Sequence, residues 1–167
     1  AGDGATSEGE FWEALNAACL ERLPVIFLIE DNGYAISVPI EKQTAGGNIS
    51  KLVRSLPSLQ VQEVDGTDFV ASYHAVHQAS EWCRGHNGPA LIHAHVIRPY
   101  SHSLSDDERL YKASAERNAE AERDPIRKFP EWLVAEGVLE PQGLKEILHE
   151  VEQEVQRATE QALAAPP

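Results

Sequence analysis

Two short stretches combine residue types that hold a hard cation and an anion together: Gly2-Asp3-Gly4 at the start of the chain, and Asp31-Asn32-Gly33-Tyr34 one supersecondary unit later. Glycines on both sides of Asp3 let the backbone turn sharply and approach an anion, while the carboxylate projects toward a cation such as magnesium. Ser7-x-x-Glu10 matches a capping box, and Phe11, Leu15, Cys19 and Leu23 recur at helical spacing with Trp12 alongside. The pattern predicts a helix directly after the glycines, its free N–H groups and positive end facing the same anion. Magnesium takes about six oxygens, few of them from protein, so Asp3, Asn32 and a backbone carbonyl near Tyr34 would suffice beside a diphosphate. Alone, Gly-Asp-Gly is more often an ordinary strand-to-helix turn, and the second stretch at this spacing is what turns the reading toward a binding site.

The intervening elements position these groups. Val25 to Ile29 is a continuous apolar run, expected of a strand buried on both faces of a parallel sheet, and it ends at Glu30-Asp31-Asn32. A right-handed crossover returns the second strand to the edge where the first one ended, which makes Asp3 and Asn32 neighbours. Ser37 to Gly47 is a polar loop at that edge, a short helix is expected over Ile49 to Leu56, and Leu59 to Val64 alternates as a strand. Asp68 reads as the N-cap of a helix whose Phe69, Val70, Tyr73, Val76, Ala79 and Cys83 form its apolar stripe, ending near Arg84-Gly85. Ala90 to Ile97 is the next strand, with His93 and His95 on one face. No third ligand at suitable spacing accompanies them, so they read as hydrogen-bonded strand histidines without an assigned role.

Arg98 to Asp107 leaves the carboxyl end of that strand, the edge where α/β proteins bind ligands; on its residues alone it is either a solvated connection or a ligand loop. Beyond Glu108 the pattern is helical and charged, with an apolar cluster at Ile126, Phe129, Trp132, Leu133, Val138 and Leu139. A stripe of Leu144, Ile147, Leu148, Val151 and Val155 follows. The expectation is an α/β fold with a doubly wound parallel sheet: a diphosphate-binding domain over residues 1–108, lacking its preceding strand, and a helical extension over 109–167 packing on the domain or a partner. A missing first strand implies a piece of a longer subunit or fused chain.

Gly2-Asp3-Gly4, followed by a helix, a strand and Asn32, resembles the thiamine-diphosphate signature that begins GDG and ends NN. Asp31 departs from the first asparagine of that ending. More narrowly, Gly2 to Gly9 with Asn32-Gly33-Tyr34-Ala35-Ile36-Ser37 resembles the alpha subunit of 2-oxo acid dehydrogenases over roughly residues 1–150, and Arg98-x-x-x-His102-Ser103 resembles the phosphorylatable active-site loop of that family. The resemblance implies a thiamine-diphosphate-binding fold, thiamine diphosphate and magnesium as cofactors, and Asp3, Asn32 and Tyr34 as metal ligands. It also implies a cofactor-binding set of Asp3, Gly4, Ala5, Asn32, Tyr34, Ile36 and His102, with His102 catalytic and Ser103 regulatory. His93 stands where a glutamate is usual. The implied reaction is oxidative decarboxylation of a 2-oxo acid with acyl transfer to a lipoyl group, and the Tyr34 to Ser37 and Ser105-Asp106-Asp107 details lean toward branched-chain substrates. Pyruvate or acetoin dehydrogenases of the same architecture are the alternative within the class, and a non-catalytic binding or assembly module is the alternative outside it. The implied partners are a beta subunit, or a fused beta part, that supplies the activating glutamate on the pyrimidine side, and a lipoyl-bearing acyltransferase, in a hetero-oligomer. By itself the fragment is expected to be inactive.

At 167 residues, 42% hydrophobic, the chain suffices for one core. A formal charge of -13 repels nucleic-acid backbones and anionic membranes, so neither is an expected partner. No apolar run reaches the ~20 residues of a membrane span. Two lone cysteines, Cys19 and Cys83, suit a reducing compartment, which predicts a bacterial-type cytoplasm, with the mitochondrial matrix as the other compatible location.

Overall fold

Three parallel strands form the centre of the computed structural model, which describes residues 1–166. They are β1 (Ile26–Asp31), β4 (Gln60–Asp65) and β5 (Ala90–His95), and β5 lies in the middle of the order β1-β5-β4. Between β1 and β4 come the two-residue strands β2 (Tyr34–Ala35) and β3 (Val38–Pro39), which pair antiparallel as a small hairpin. The central place of β5 explains its sequence, since Ala90 to Ala94 are all buried and a run that is small and apolar except at His93 has no solvent face to serve.

Helices cover both faces. On one, α1 (Gly9–Glu21) and α2 (Ile49–Val53) bury Leu15, Cys19, Ile49 and Val53 against Ile29 and Leu91. On the other, α3 (Phe69–Arg84) lays Ala75, Ala79 and Cys83 on Ala90 and Ile92. The α/β architecture with a parallel sheet is therefore as expected, and so is the Asp68 cap, which accepts the N–H of Ala71 at 2.9 Å.

Several local expectations are corrected. Residues Asp3–Ser7 form a 3-10 turn, and α1 begins only at Gly9, capped by Glu8 without a side-chain bond; Ser7 Oγ instead donates to the Gln43 carbonyl at 3.3 Å. The apparent capping box is used for a tertiary contact. β1 is not covered on both faces, because α3 lies over β4 and β5 and leaves Leu28 40% exposed. The inward face of α3 consists of small residues that allow close helix–sheet packing, so Phe69, Tyr73 and Val76 point outward. β5 ends at His95, after which the N–H of Val96 makes a last bond to the Asp31 carbonyl at 2.8 Å.

The chain divides into two compact units, residues 1–125 and 126–167. The first also contains α4 (Ser114–Glu122). The second holds most of α5 (Pro125–Ala135) and all of α6 (Pro141–Ala164), joined by a turn in which Gly137 takes φ +68° and the N–H groups of Val138 and Leu139 bond the Leu133 carbonyl. Phe129 and Trp132 stack at 5.9 Å, while the α6 stripe Ile147, Leu148, Val151 and Val155 is about half exposed. No helix among the described residues is long and apolar enough to cross a membrane.

Candidate functional site at the carboxyl edge of the sheet

Ala1 and Gly2 run parallel beside β1, with Gly2 bridging Glu30 and the Glu30 N–H bonding the Ala1 carbonyl at 2.8 Å. This brings Asp3 to the level of Asn32, as the crossover argument requires. Asp3 is 2% exposed, and its Oδ2 accepts a hydrogen bond from Gln43 Nε2 at 2.8 Å. The backbone N–H of Asn32 also bonds the Asp3 carboxylate, yet burial first, and then the charge of Asp31, push the carboxyl above its ordinary range. No positively charged side chain pairs with Asp3 among the described residues. Gly4 is required by close approach: a Cβ there would stand 2.6 Å from the Ala35 Cβ. Ala5 is exposed on the same turn.

Asn32 is half-buried, and its Oδ1 accepts the N–H of Tyr34 at 3.1 Å, folding the segment around Gly33 at φ +81°. Tyr34 donates its hydroxyl to Glu116 at 2.9 Å, and burial followed by that carboxylate pushes its pKa up to about 12. Ile36, a β-branched residue, is held at φ +56°, a conformation that costs it strain. Its carbonyl is fixed by Arg98 Nη1 at 2.7 Å.

Arg98 ties this hairpin to the following loop. Its guanidinium lies 5.9 Å from the Tyr34 ring centroid and 5.7 Å from that of Tyr111, and it donates to the Tyr111 hydroxyl. Tyr111 in turn donates to Asp106 Oδ2 at 2.6 Å, and that oxygen also accepts the His102 N–H at 2.8 Å. His102 and Ser103 are exposed, with Ser103 Oγ 3.1 Å from Ser105 Oγ. No hydrogen bond or ion pair among the described residues joins the His102 ring to Asp3 or Asn32, so the structure brings together Asp3, Gly4, Asn32 and Tyr34 and links His102 to them only through the Asp106, Tyr111 and Arg98 chain.

The two departures from the resembled pattern, Asp31 and His93, face each other. His93 is 0% exposed; its Nε2 donates to Asp31 Oδ2 at 2.7 Å and its Nδ1 accepts from Ser50 Oγ at 2.9 Å. Burial raises the Asp31 carboxyl, but the His93 hydrogen bond and the Gly33 N–H, at 2.8 Å on Oδ1, outweigh it and hold the group below the carboxylate range. Beside them His95 Nε2 donates to Glu63 Oε1 at 2.8 Å. An acid and a base thus occupy places where an amide and an acid are usual. Sequence reading missed Gln43 and Ser50, which reach the site over 40 and 43 residues of separation with no local signal.

The sequence profile of the family described as "Dehydrogenase E1 component" matches residues 1–167. The chain is 36% identical over 168 residues to the pyruvate dehydrogenase E1 component subunit alpha of Mycoplasma pneumoniae, covering 99% of this chain and 46% of that protein. It is also 36% identical over 167 residues to the 2-oxoisovalerate dehydrogenase subunit alpha of Bacillus subtilis, covering 99% and 50%. The mitochondrial pyruvate dehydrogenase E1 component subunit alpha of Dictyostelium discoideum is similar at 35% over 166 residues, covering 99% and 43%. The chain spans about half the length of these relatives.

Proposed function

Because this chain belongs to the dehydrogenase E1 component family, we propose that it forms the diphosphate-binding and metal-binding part of the alpha component of a thiamine-diphosphate-dependent 2-oxo acid dehydrogenase. The observation that carries this reading is the Asp3 carboxylate, buried without a cationic partner and set beside Asn32 at the carboxyl edge of the sheet. A desolvated anion of this kind fits a bound divalent cation, and an oxygen donor set fits magnesium. Asp3, Asn32 and the main chain at Tyr34 would hold the ion, and Gly4, Ala5 and Ile36 would bound the space next to the diphosphate.

The chemistry supplied by bound thiamine diphosphate is addition to the 2-oxo carbonyl and uptake of the electron pair released as carbon dioxide leaves. The chain's own contribution is binding, orientation and proton handling. His102, carried by the loop that Arg98 and Tyr111 anchor, donates a hydrogen bond or passes a proton near the reacting centre. The acyl group goes to a lipoyl group on an acyltransferase, and a beta component completes the site. Exposed apolar side chains on α3, Tyr73 and Val76 among them, support a partnered protein, as does the half-exposed stripe of α6. Both cysteines are free and buried, which supports a reducing compartment, and we place the protein in the cytoplasm.

Relatives named for pyruvate and for 2-oxoisovalerate match at the same 36%, so the substrate test includes both. The full-length chain assembled with its beta component is expected to decarboxylate at least one 2-oxo acid of a panel in a reaction dependent on thiamine diphosphate and magnesium. Residues 1–167 alone are expected to be inactive. Absence of turnover on the whole panel, in an assembly that binds the cofactor, would leave a binding module in place of an enzyme.

The exposed loop carries a further expectation. A Ser103→Glu change sets a carboxylate near Asp106, whose Oδ2 organises both His102 and Tyr111. Repulsion at that anchor loosens the loop, as a phosphate there would. Reductive acylation should fall at least about tenfold while cofactor affinity and folding hold, which is about 1.4 kcal/mol of transition-state stabilisation. Normal acylation in this variant would show that the Asp106 anchor has no role in turnover.

A further inference from the structure

A second group of ligand atoms lies next to the diphosphate edge and is distinct from the Asp3 and Asn32 pair. Asp31, His93 and His95 each offer one atom, and these atoms lie within 4.8 Å of one another. Parallel register puts Asp31 opposite His95 and Ile29 opposite His93, so all three polar side chains project from the same face of two neighbouring strands. Asp31 Oδ2 is the common vertex, 2.7 Å from His93 Nε2 and 3.8 Å from His95 Nδ1. Two atoms bonded to one tetrahedral ion at about 2.1 Å stand about 3.4 Å apart, so the 2.7 and 3.8 Å separations straddle that value, and the three atoms together draw in from a spread of at most 4.8 Å.

The surroundings are those of ligands held in place. The outer nitrogen of each imidazole already has a partner: Ser50 Oγ on His93 Nδ1 at 2.9 Å, and Glu63 Oε1 on His95 Nε2 at 2.8 Å. A hydrogen-bonded outer nitrogen fixes ring orientation and raises the basicity of the inner one, which is the usual arrangement around a metal-bound histidine. Asp31 is oriented in the same way, its Oδ1 held by the Gly33 N–H at 2.8 Å while Oδ2 turns to the histidines. The rigid end of the set is wholly buried at His93, and its open end is His95, whose side chain is 43% exposed. Asp31 and His95 line a cavity of about 410 Å³ through which an ion and its waters can enter.

Charge favours occupancy too. Asp31 and Glu63 set two carboxylates against the two histidines, and the charge of Asp31 is already felt at a third, Asp3. We propose that Asp31, His93 and His95 bind a divalent transition-metal ion of the zinc class, with water in the remaining positions. Two imidazoles and one carboxylate select such ions over magnesium or calcium, which prefer all-oxygen sets. On binding, His93 presents its unprotonated Nε2 to the ion, the ring proton moves to Nδ1, and Ser50 Oγ changes from donor to acceptor. The proposal goes beyond the diphosphate site and does not depend on it.

The test is titration of the chelator-stripped native assembly with Co2+, in excess magnesium, read by visible absorption. One Co2+ per chain with the spectrum of a nitrogen-ligated ion is expected. His95→Ala, a change at a half-exposed position that leaves the buried His93 bonds intact, should weaken uptake at least about 100-fold, and Glu63→Gln, which alters only the outer partner, about tenfold. Asp3→Ala should leave the Co2+ spectrum in place even as it disturbs diphosphate binding, which separates the two sites. Absence of magnesium-resistant Co2+ uptake, or unchanged uptake in a folded His95→Ala variant, overturns the proposal.

Discussion

Replacing Asp3 with alanine raises the dissociation constant for thiamine diphosphate, at saturating magnesium, by at least about 100-fold, equivalent to about 2.7 kcal/mol. The carboxylate is the only charged group of the proposed magnesium set, and removing it leaves an amide and a main-chain carbonyl to hold a reluctantly dehydrated ion. Asn32→Ala should be milder, at about tenfold, because it removes a neutral oxygen that in the free protein is also occupied by the Tyr34 N–H. Calorimetric titration of the assembled enzyme measures both. Unchanged affinity in the two variants would remove Asp3 and Asn32 from the cofactor site.

The same substitution has an opposite effect on the unliganded protein. Burial and Asp31 raise the folded-state pKa of Asp3, so any stability it contributes is present at low pH and is lost as pH rises through that pKa. Wherever it is ionised, the group opposes folding. Asp3→Ala is therefore expected to hold or increase the stability of the cofactor-free chain, read from the denaturant midpoint, while cofactor affinity collapses. A binding residue that costs stability behaves in this way. A variant that lost affinity because it lost its fold would show a lower midpoint.

Where periodicity and local chemistry decide an element, the sequence was sufficient. β5 is legible as a short, mostly apolar strand, the Asp68 cap as a residue type at a boundary, and the placing of His93 and His95 on one face as strand alternation. The juxtaposition of Asp3 with Asn32 follows from crossover handedness. Tertiary selection decides the rest. Ser7 and Glu10 satisfy the capping pattern, but Ser7 bonds Gln43 because the Asp3–Ser7 turn sets α1 further along. The companion of His93 and His95 is Asp31, 62 residues from His93 and brought there by strand pairing alone, a separation that carries no signal along the sequence. Asp31 and His93 were each visible as a departure, and only the register of β1 on β5 makes them a pair.

That pair supports the largest expected effect on stability. His93→Glu restores the residue usual in the resembled family but, with Asp31 in place, sets two carboxylates against each other where the histidine is 0% exposed. A second carboxylate buried against Asp31, with no charge to compensate either, costs about 3–5 kcal/mol. Asp31→Asn alone keeps an oxygen for the Gly33 N–H and turns its amide NH2 to His93 Nε2, which accepts it once the ring proton sits on Nδ1 and faces Ser50 Oγ, so it should cost only about 1–2 kcal/mol. In the double variant the asparagine amide donates to the new glutamate, and Ser50 Oγ donates to it from the other side, so every buried group regains a partner. The double variant should then be more stable than His93→Glu alone, with a coupling of about 2–3 kcal/mol between the two positions. Denaturant unfolding of the four proteins closes the cycle. Additive costs would mean that Asp31 and His93 do not act as a pair, and the recovery should come with loss of Co2+ uptake, since an asparagine and a glutamate remove the imidazole at the buried end of the proposed metal site.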